Sequence, residues 1–198
     1  MRALLRVAGA LVLTVSMNAA DVHAAGVRGA VRDVAVIQDA AGSARILFRA
    51  PSTISDLSEA IVSKAHLTIT TTGIAEARTL RVRVYPVTAV GWNPLGVSWT
   101  GWTRPGGDYD EELFASAELD FARGGATASF DVTAILKEVL ESGMAADGFL
   151  LTVDPADGTG IASDDLTRFG TLSTATLDVQ YRRVPAAQLA REGRSPGS

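Results

Sequence analysis

Residues 80–105 read LRVRVYPVTAVGWNPLGVSWTGWTRP, and the reading of this stretch decides the fold. Leu80, Val82 and Val84 alternate with Arg81, Arg83 and Tyr85, the period-2 pattern of a strand with one buried and one wet face. Pro86 cannot donate to a ladder, so the strand either lies at a sheet edge there or leaves the sheet. Gly91, Trp92, Asn93, Pro94 and Gly96 follow as turn formers around a large aromatic, before a short apolar return through Val97 and Trp99. All three tryptophans of the chain fall in this one loop, which only packing can hold.

The segments on either side repeat the strand signal. Residues 31–38 and 45–49 predict two strands joined as a hairpin by the turn cluster Asp39-Ala40-Ala41-Gly42-Ser43. Ala65, Leu67 and Ile69 alternate with His66, Thr68 and Thr70. Downstream, Leu113, Ala115, Ala117 and Leu119 alternate with Phe114, Ser116, Glu118 and Asp120, and further strands are expected over 126–130, 149–153 and 176–182. One helix interrupts them: Asp131 is suited to an N-cap, and Val132, Ile135, Leu136, Val139 and Leu140 recur at helical spacing as far as Gly143. About ten short strands, one helix and no strand-helix alternation predict an all-β fold, an antiparallel jelly-roll-like β-sandwich with the helix capping an end.

Composition sets the surroundings. Arg2 and Arg6, the apolar run 7–17 and the small-residue site Val22-His23-Ala24 form a tripartite export leader, so residues 1–24 are expected to be a signal peptide. The apolar run is shorter than the roughly 20 residues a membrane span needs. Residues 25–184 are expected to form the β-sandwich domain, and 185–198, without a core-forming pattern, a disordered tail. Cleavage after Ala24 removes Arg2, Arg6 and Asp21 and takes the 18 basic and 22 acidic residues to 16 and 21, a formal charge of −5. Nucleic-acid binders usually carry a basic surplus, so this balance argues against such a partner. The expected address is secreted, extracellular or periplasmic, with no membrane span in the mature chain.

Catalytic signatures are sparse. The chain has no cysteine, and the leader takes one of its two histidines, leaving His66. Thiol chemistry and cysteine metal sites are thereby excluded, and no G-x-S-x-G elbow surrounds a serine. A carboxylate pair for glycoside cleavage is defined by separation in space rather than by sequence. The loop 104–112, RPGGDYDEE, carries Asp108, Asp110, Glu111 and Glu112, and a second acidic loop carries Asp154 and Asp157. These are either solvated turn residues or oxygen ligands for a structural calcium; no other cofactor is expected.

The run VYPVTAVGWNPLGVSWTGWTRP, followed by FDVTAILKEVLESG, DGFLLTV and ATLDVQY, resembles the secreted β-sandwich family of DNRLRE domains, also grouped as carbohydrate-binding module family 96. The positions that carry the likeness are Trp92, Ser98, Trp99 and Pro105, the helix start FDVT at 130–133 and the last strand LDVQY at 177–181. Trp102 falls in a small insertion relative to that pattern, and Ser163, Asp164 and Asp165 stand where the family shows a Ser-Arg-Glu type element. The resemblance implies a non-catalytic carbohydrate-binding module; no binding residue is transferred from it.

Candidate binding residues come from side-chain chemistry. An exposed indole stacks on the C–H face of a sugar ring. Trp92 and Trp99 are expected as structural aromatics that plug the sandwich end, and Trp102, between Gly101 and Thr103, as the exposed platform. Arg81 and Arg83 point the same way on a polar strand face, either as ordinary solvated charges or as a fork for a uronate carboxylate. Arg104 can serve likewise beside Trp102. The expected partner is a polysaccharide or cell-surface glycan, acidic or neutral. A structural or adhesive surface domain with no small-molecule ligand is the alternative.

Overall fold

The computed structural model describes residues 25–31, 34–41, 43–49, 57, 60–72, 79–93, 95–120, 125–142, 147–153 and 174–183. The expected leader and tail, the acids Asp154 and Asp157, and Ser163 to Asp165 lie outside the described residues.

The described chain forms nine strands and one helix: β1 (Ala25–Val31), β2 (Val34–Gln38), β3 (Ala44–Arg49), β4 (Ala60–Thr72), β5 (Thr79–Pro86), β6 (Ala115–Asp120), β7 (Gly125–Asp131), α1 (Thr133–Ser142), β8 (Gly148–Val153) and β9 (Thr174–Arg183). They build a four-stranded sheet, β1-β9-β4-β7, and a five-stranded sheet, β2-β3-β8-β5-β6. Every pairing is antiparallel, and β1 pairs β9, β3 pairs β8, β4 pairs β7 and β5 pairs β6. Such nested pairs arise when one long hairpin is rolled up, which is the jelly-roll winding. The expected sandwich is therefore the observed fold.

One boundary differs from the sequence expectation, and one open alternative is decided. The stretch 31–38 is not one strand: Val31 ends β1 in the four-stranded sheet and Val34 begins β2 in the other. Of the two readings of Pro86, the second holds: β5 lies between β8 and β6, and Pro86 marks the point at which the chain leaves the sheet.

The main core lies between the sheets. Ile46, Phe48, Leu67, Ile69, Val82, Val84, Leu119, Phe130, Phe149, Leu151, Leu177 and Val179 are all buried there. At about 1.5–3 kcal/mol for each large side chain removed from water, this layer supplies most of the drive to fold without disulfides. β4 keeps both halves of its apolar pattern in phase through a bulge. Ala60 and Val62 are buried before it and Ala65, Leu67 and Ile69 after it, a switch from even to odd positions that the register shift between Val62 and Lys64 absorbs.

α1 closes onto the same core through Ile135, Leu136 and Val139. Its start is tied to β4: Val132 N–H donates to the Ala65 carbonyl at 3.0 Å, and Ala65 N–H donates to Thr133 Oγ1 at 2.9 Å. Val132 takes the N-cap position expected for Asp131, its carbonyl accepting the Leu136 N–H at 3.0 Å, and Asp131 supports the helix start from the end of β7, its Oδ1 accepting the Thr133 N–H at 3.0 Å. Bonds from the Thr133 hydroxyl and N–H hold its carboxyl below the usual carboxylate range, against a smaller opposing effect of burial. A depressed carboxylate contributes stability above its unfolded value and loses it as pH falls through the folded one. Asp131→Ala is therefore expected to cost about 1 kcal/mol at neutral pH, with the gap to wild type closing below about pH 4. Urea titrations at pH 7 and pH 3 check this, and a pH-independent gap contradicts it.

Candidate functional site

Over β2, β3, β8 and the end of β5, both faces of the five-stranded sheet are covered. On β3, Ile46 and Phe48 face the main core while Leu47 between them is equally buried; on β8, Leu150 stands in the same relation to Phe149 and Leu151. Leu47 and Leu150 join Ala35, Ile37, Tyr85, Val87 and Trp92 in a second apolar cluster on the outer face of the sheet. Ala89, Val97, Trp99, Trp102 and Tyr109 pack against it. The connection between β5 and β6 is thus a lid laid over the outside of the sheet. It does not plug the end of the sandwich, where Trp92 and Trp99 were expected.

Backbone bonds hold the lid at both margins. Val87 N–H donates to the Gly148 carbonyl at 2.9 Å, Asp147 N–H to the Val87 carbonyl at 3.2 Å, and Thr88 N–H to the Asp108 carbonyl at 2.9 Å. Trp92 is 7% exposed and donates its indole N–H to the Asp147 carbonyl at 3.1 Å. The Arg49 guanidinium lies 5.3 Å from the Trp92 ring and donates to the Trp92 carbonyl.

Farther along, Arg45 is held between two rings, its guanidinium 4.9 Å from Trp99 and 5.0 Å from Tyr109, while its Nη1 donates to the Gly106 carbonyl at 2.6 Å. Gly106, with φ of 88°, leaves room for this: a β-carbon there would come within 2.6 Å of Arg45 Nη1 and 3.0 Å of Trp99 Cζ2. Arg45 and Arg49 alternate with Leu47 on one strand face, so β3 presents two cations and an apolar residue to an aromatic lid.

The sequence-predicted site residues are distributed around this lid. Trp102 is half-buried rather than an open platform, tilted at 46° against Trp92 with ring centroids 6.3 Å apart. Its indole Nε1 is buried and finds no acceptor among the described residues. Trp99 is also half-buried. Arg81 is exposed on β5, 3.4 Å from Glu118 of β6, the residue opposite it in the ladder. Arg83 lies 4.8 Å from the Phe114 ring. Phe114, Tyr85 and Tyr109 form an aromatic row with centroid separations of 5.8 and 4.9 Å, and Arg104 stacks at 4.6 Å on Tyr109. Arg83 and Arg104 thus stand at opposite ends of one row, and Arg81 is off it.

Next to Arg104 is a shallow open depression of about 480 Å³, lined by Thr88, Ala89, Thr103, Arg104, Asp108 and Tyr109. Its shape depends on Asp108, whose Oδ1 and Oδ2 accept the main-chain N–H groups of Arg104 at 2.8 Å and Thr103 at 3.1 Å. Burial pushes this carboxyl upward, but the Arg104 and Thr103 bonds together outweigh it and leave the group below the usual carboxylate range. Burial likewise raises the Tyr109 phenol above its ordinary value, opposed by Arg45 and Arg104. Asp110 Oδ1 accepts the Glu112 N–H at 2.9 Å. No group of three or more acids and histidines converges on a metal-binding point among the described residues.

Arg45, Arg49, Tyr109 and Asp147 organise the lid, and none was singled out from the sequence. The available signal was the unbroken apolar runs Ile46-Leu47-Phe48 and Phe149-Leu150-Leu151, which mark strands covered on both faces.

Fold and site together define an all-β jelly-roll sandwich with an aromatic lid on one outer face and a polar depression in that lid. No helix among the described residues is long and apolar enough to cross a membrane. No protein-family model matches the chain, and no curated protein sequence matches it.

Proposed function

We propose that the protein is an exported, non-catalytic carbohydrate-binding-type module that takes an acidic polysaccharide at the depression in the lid. One observation carries the reading: Arg104, Tyr109, Thr88 and Thr103, a cation, a phenol ring and two hydroxyl side chains, line one shallow open surface with Ala89 and with Asp108, whose carboxylate is taken up by two main-chain N–H groups. Sugar sites combine such an aromatic face with a few placed polar groups, and an open depression suits a polymer that passes across it. The resemblance of the motif order to that of DNRLRE domains and the leader-like pattern of residues 1–24 support the same reading. Arg104 replaces Trp102 as its centre, because Trp102 is half-buried against Trp92.

Wild type and Arg104→Ala are to be titrated with alginate, pectin and a neutral glucan at two salt concentrations. Uronate polymers are expected to bind and to weaken as salt rises, since exposed charges are screened within about 10 Å at 0.1 M. Arg104→Ala is expected to lose about five-fold in affinity, the worth of an exposed charge-assisted contact of about 1 kcal/mol. Absence of binding in both proteins overturns the reading, and release of reducing or unsaturated ends moves the case to a hydrolase or lyase.

A structural or adhesive surface domain is the second reading. It is favoured by the use of the tryptophans, since Trp92 is buried and Trp99 and Trp102 pack against the apolar cluster they cover. A lid of this kind is accounted for by burial of the apolar outer face alone.

A further inference from the structure

We infer that Arg104 and Tyr109 form a carboxylate receptor that Glu111 of the same loop already fills, so that an acidic ligand binds by displacing Glu111. The inference rests on the reading of the depression as an acidic-glycan site and adds to it a means of regulation. Arg104 Nη1 lies 3.0 Å from Glu111 Oε1, and the Tyr109 hydroxyl reaches the same oxygen at 3.4 Å, long for a hydroxyl bond. Both donors line the depression, and Glu111 does not. A carboxylate held by a guanidinium and a phenol at the rim is what a bound uronate would present there, and Glu111 supplies it from within the chain.

The other contacts favour exchange. Arg104 is fixed independently of Glu111: its Nη2 donates to the Tyr109 carbonyl at 2.9 Å, its guanidinium stacks on the Tyr109 ring, and its N–H is held by Asp108. The receptor therefore stays formed when Glu111 leaves. The side chains of Arg104 and Glu111 are 46% and 62% exposed, so water screens the pair and an incoming carboxylate has little to overcome. Asp108 and Asp110 accept main-chain N–H groups, while the Asp108 charge also lies near enough to Arg104 to be attracted by it.

The test compares wild type, Glu111→Gln and Glu112→Gln with polygalacturonate and a neutral glucan at low salt, after thermal melts show that all three are folded. Glu112→Gln removes the same charge next door and controls for net charge. Removing the internal competitor is expected to tighten polygalacturonate binding about two- to five-fold in Glu111→Gln, the factor set by an exposed ion pair, with Glu112→Gln equal to wild type and the glucan unaffected. If wild type binds and Glu111→Gln matches it, or if both variants gain equally, Glu111 is an ordinary surface ion-pair partner and the inference falls while the functional reading stands. If no variant binds, both fall.

Discussion

Trp92→Ala is expected to lower the unfolding free energy by about 3–5 kcal/mol, the range for truncating a large buried aromatic. Three losses coincide there. The ring leaves a cavity over Leu47 and Leu150 in the second apolar cluster, the indole no longer bonds the Asp147 carbonyl, and Arg49 loses the ring against which it rests. In a chain of this size each kcal/mol is worth about 2–4 °C, so the midpoint should fall by about 6–20 °C. Trp99→Ala should cost clearly less, because Trp99 is half-buried and its main anchor to the turn is its own carbonyl, which accepts the Gly106 N–H at 2.7 Å and survives the change. Thermal and urea melts of the two variants check the ranking. A Trp92→Ala protein that melts with wild type would mean that the lid is not part of the cooperative fold.

Gly148→Ala is expected to be as damaging from a far smaller change. Gly148 opens β8 opposite Arg49, with φ of 149°, and a β-carbon there would sit 2.2 Å from the Phe48 carbonyl oxygen. The obstacle is backbone of the paired strand, so no side-chain rotation relieves it. Either the β3–β8 pairing opens at this end or the residue moves to another backbone conformation, and both disturb the Gly148 carbonyl that receives the Val87 N–H. Strain of this kind costs about 1–3 kcal/mol before any lost pairing is added. Amide exchange at Val87 and Arg49 should accelerate along with the fall in melting temperature. An unchanged melt, with Val87 still protected, would contradict the close approach.

The sandwich and the helix were legible in the sequence because their signals are local. Alternation at Leu80, Val82 and Val84 and again at Leu113 to Leu119, the helical spacing from Val132 to Leu140 and the acid at Asp131 each specify a face or an end within a few residues. The bulge in β4 was not read from the sequence, because with Ile61 also apolar the change of phase between Val62 and Ala65 shows only in which residues are buried. A single strand across 31–38 was a wrong reading because strand-forming residues on both sides of Arg32-Asp33 do not reveal that Val31 and Val34 belong to different sheets.

The site needed the tertiary structure. Tyr85 reads as the wet face of β5 and is buried, because residues 87–113 return over that face and cover it. The same return makes the tryptophan loop a lid over the sheet, half-buries Trp102, and brings Arg45 and Arg49 from β3 against rings that lie more than forty residues away in the chain. Burial of an outward-facing residue depends on what another segment lays over it, so the alternation within its own strand carries no record of it. By itself the sequence determined which residues form strands and helix, through side-chain periodicity and backbone propensity. Only the tertiary structure decided which outer face is covered and which cation faces the polar depression, because those outcomes come from contacts between segments that propensity and periodicity do not link.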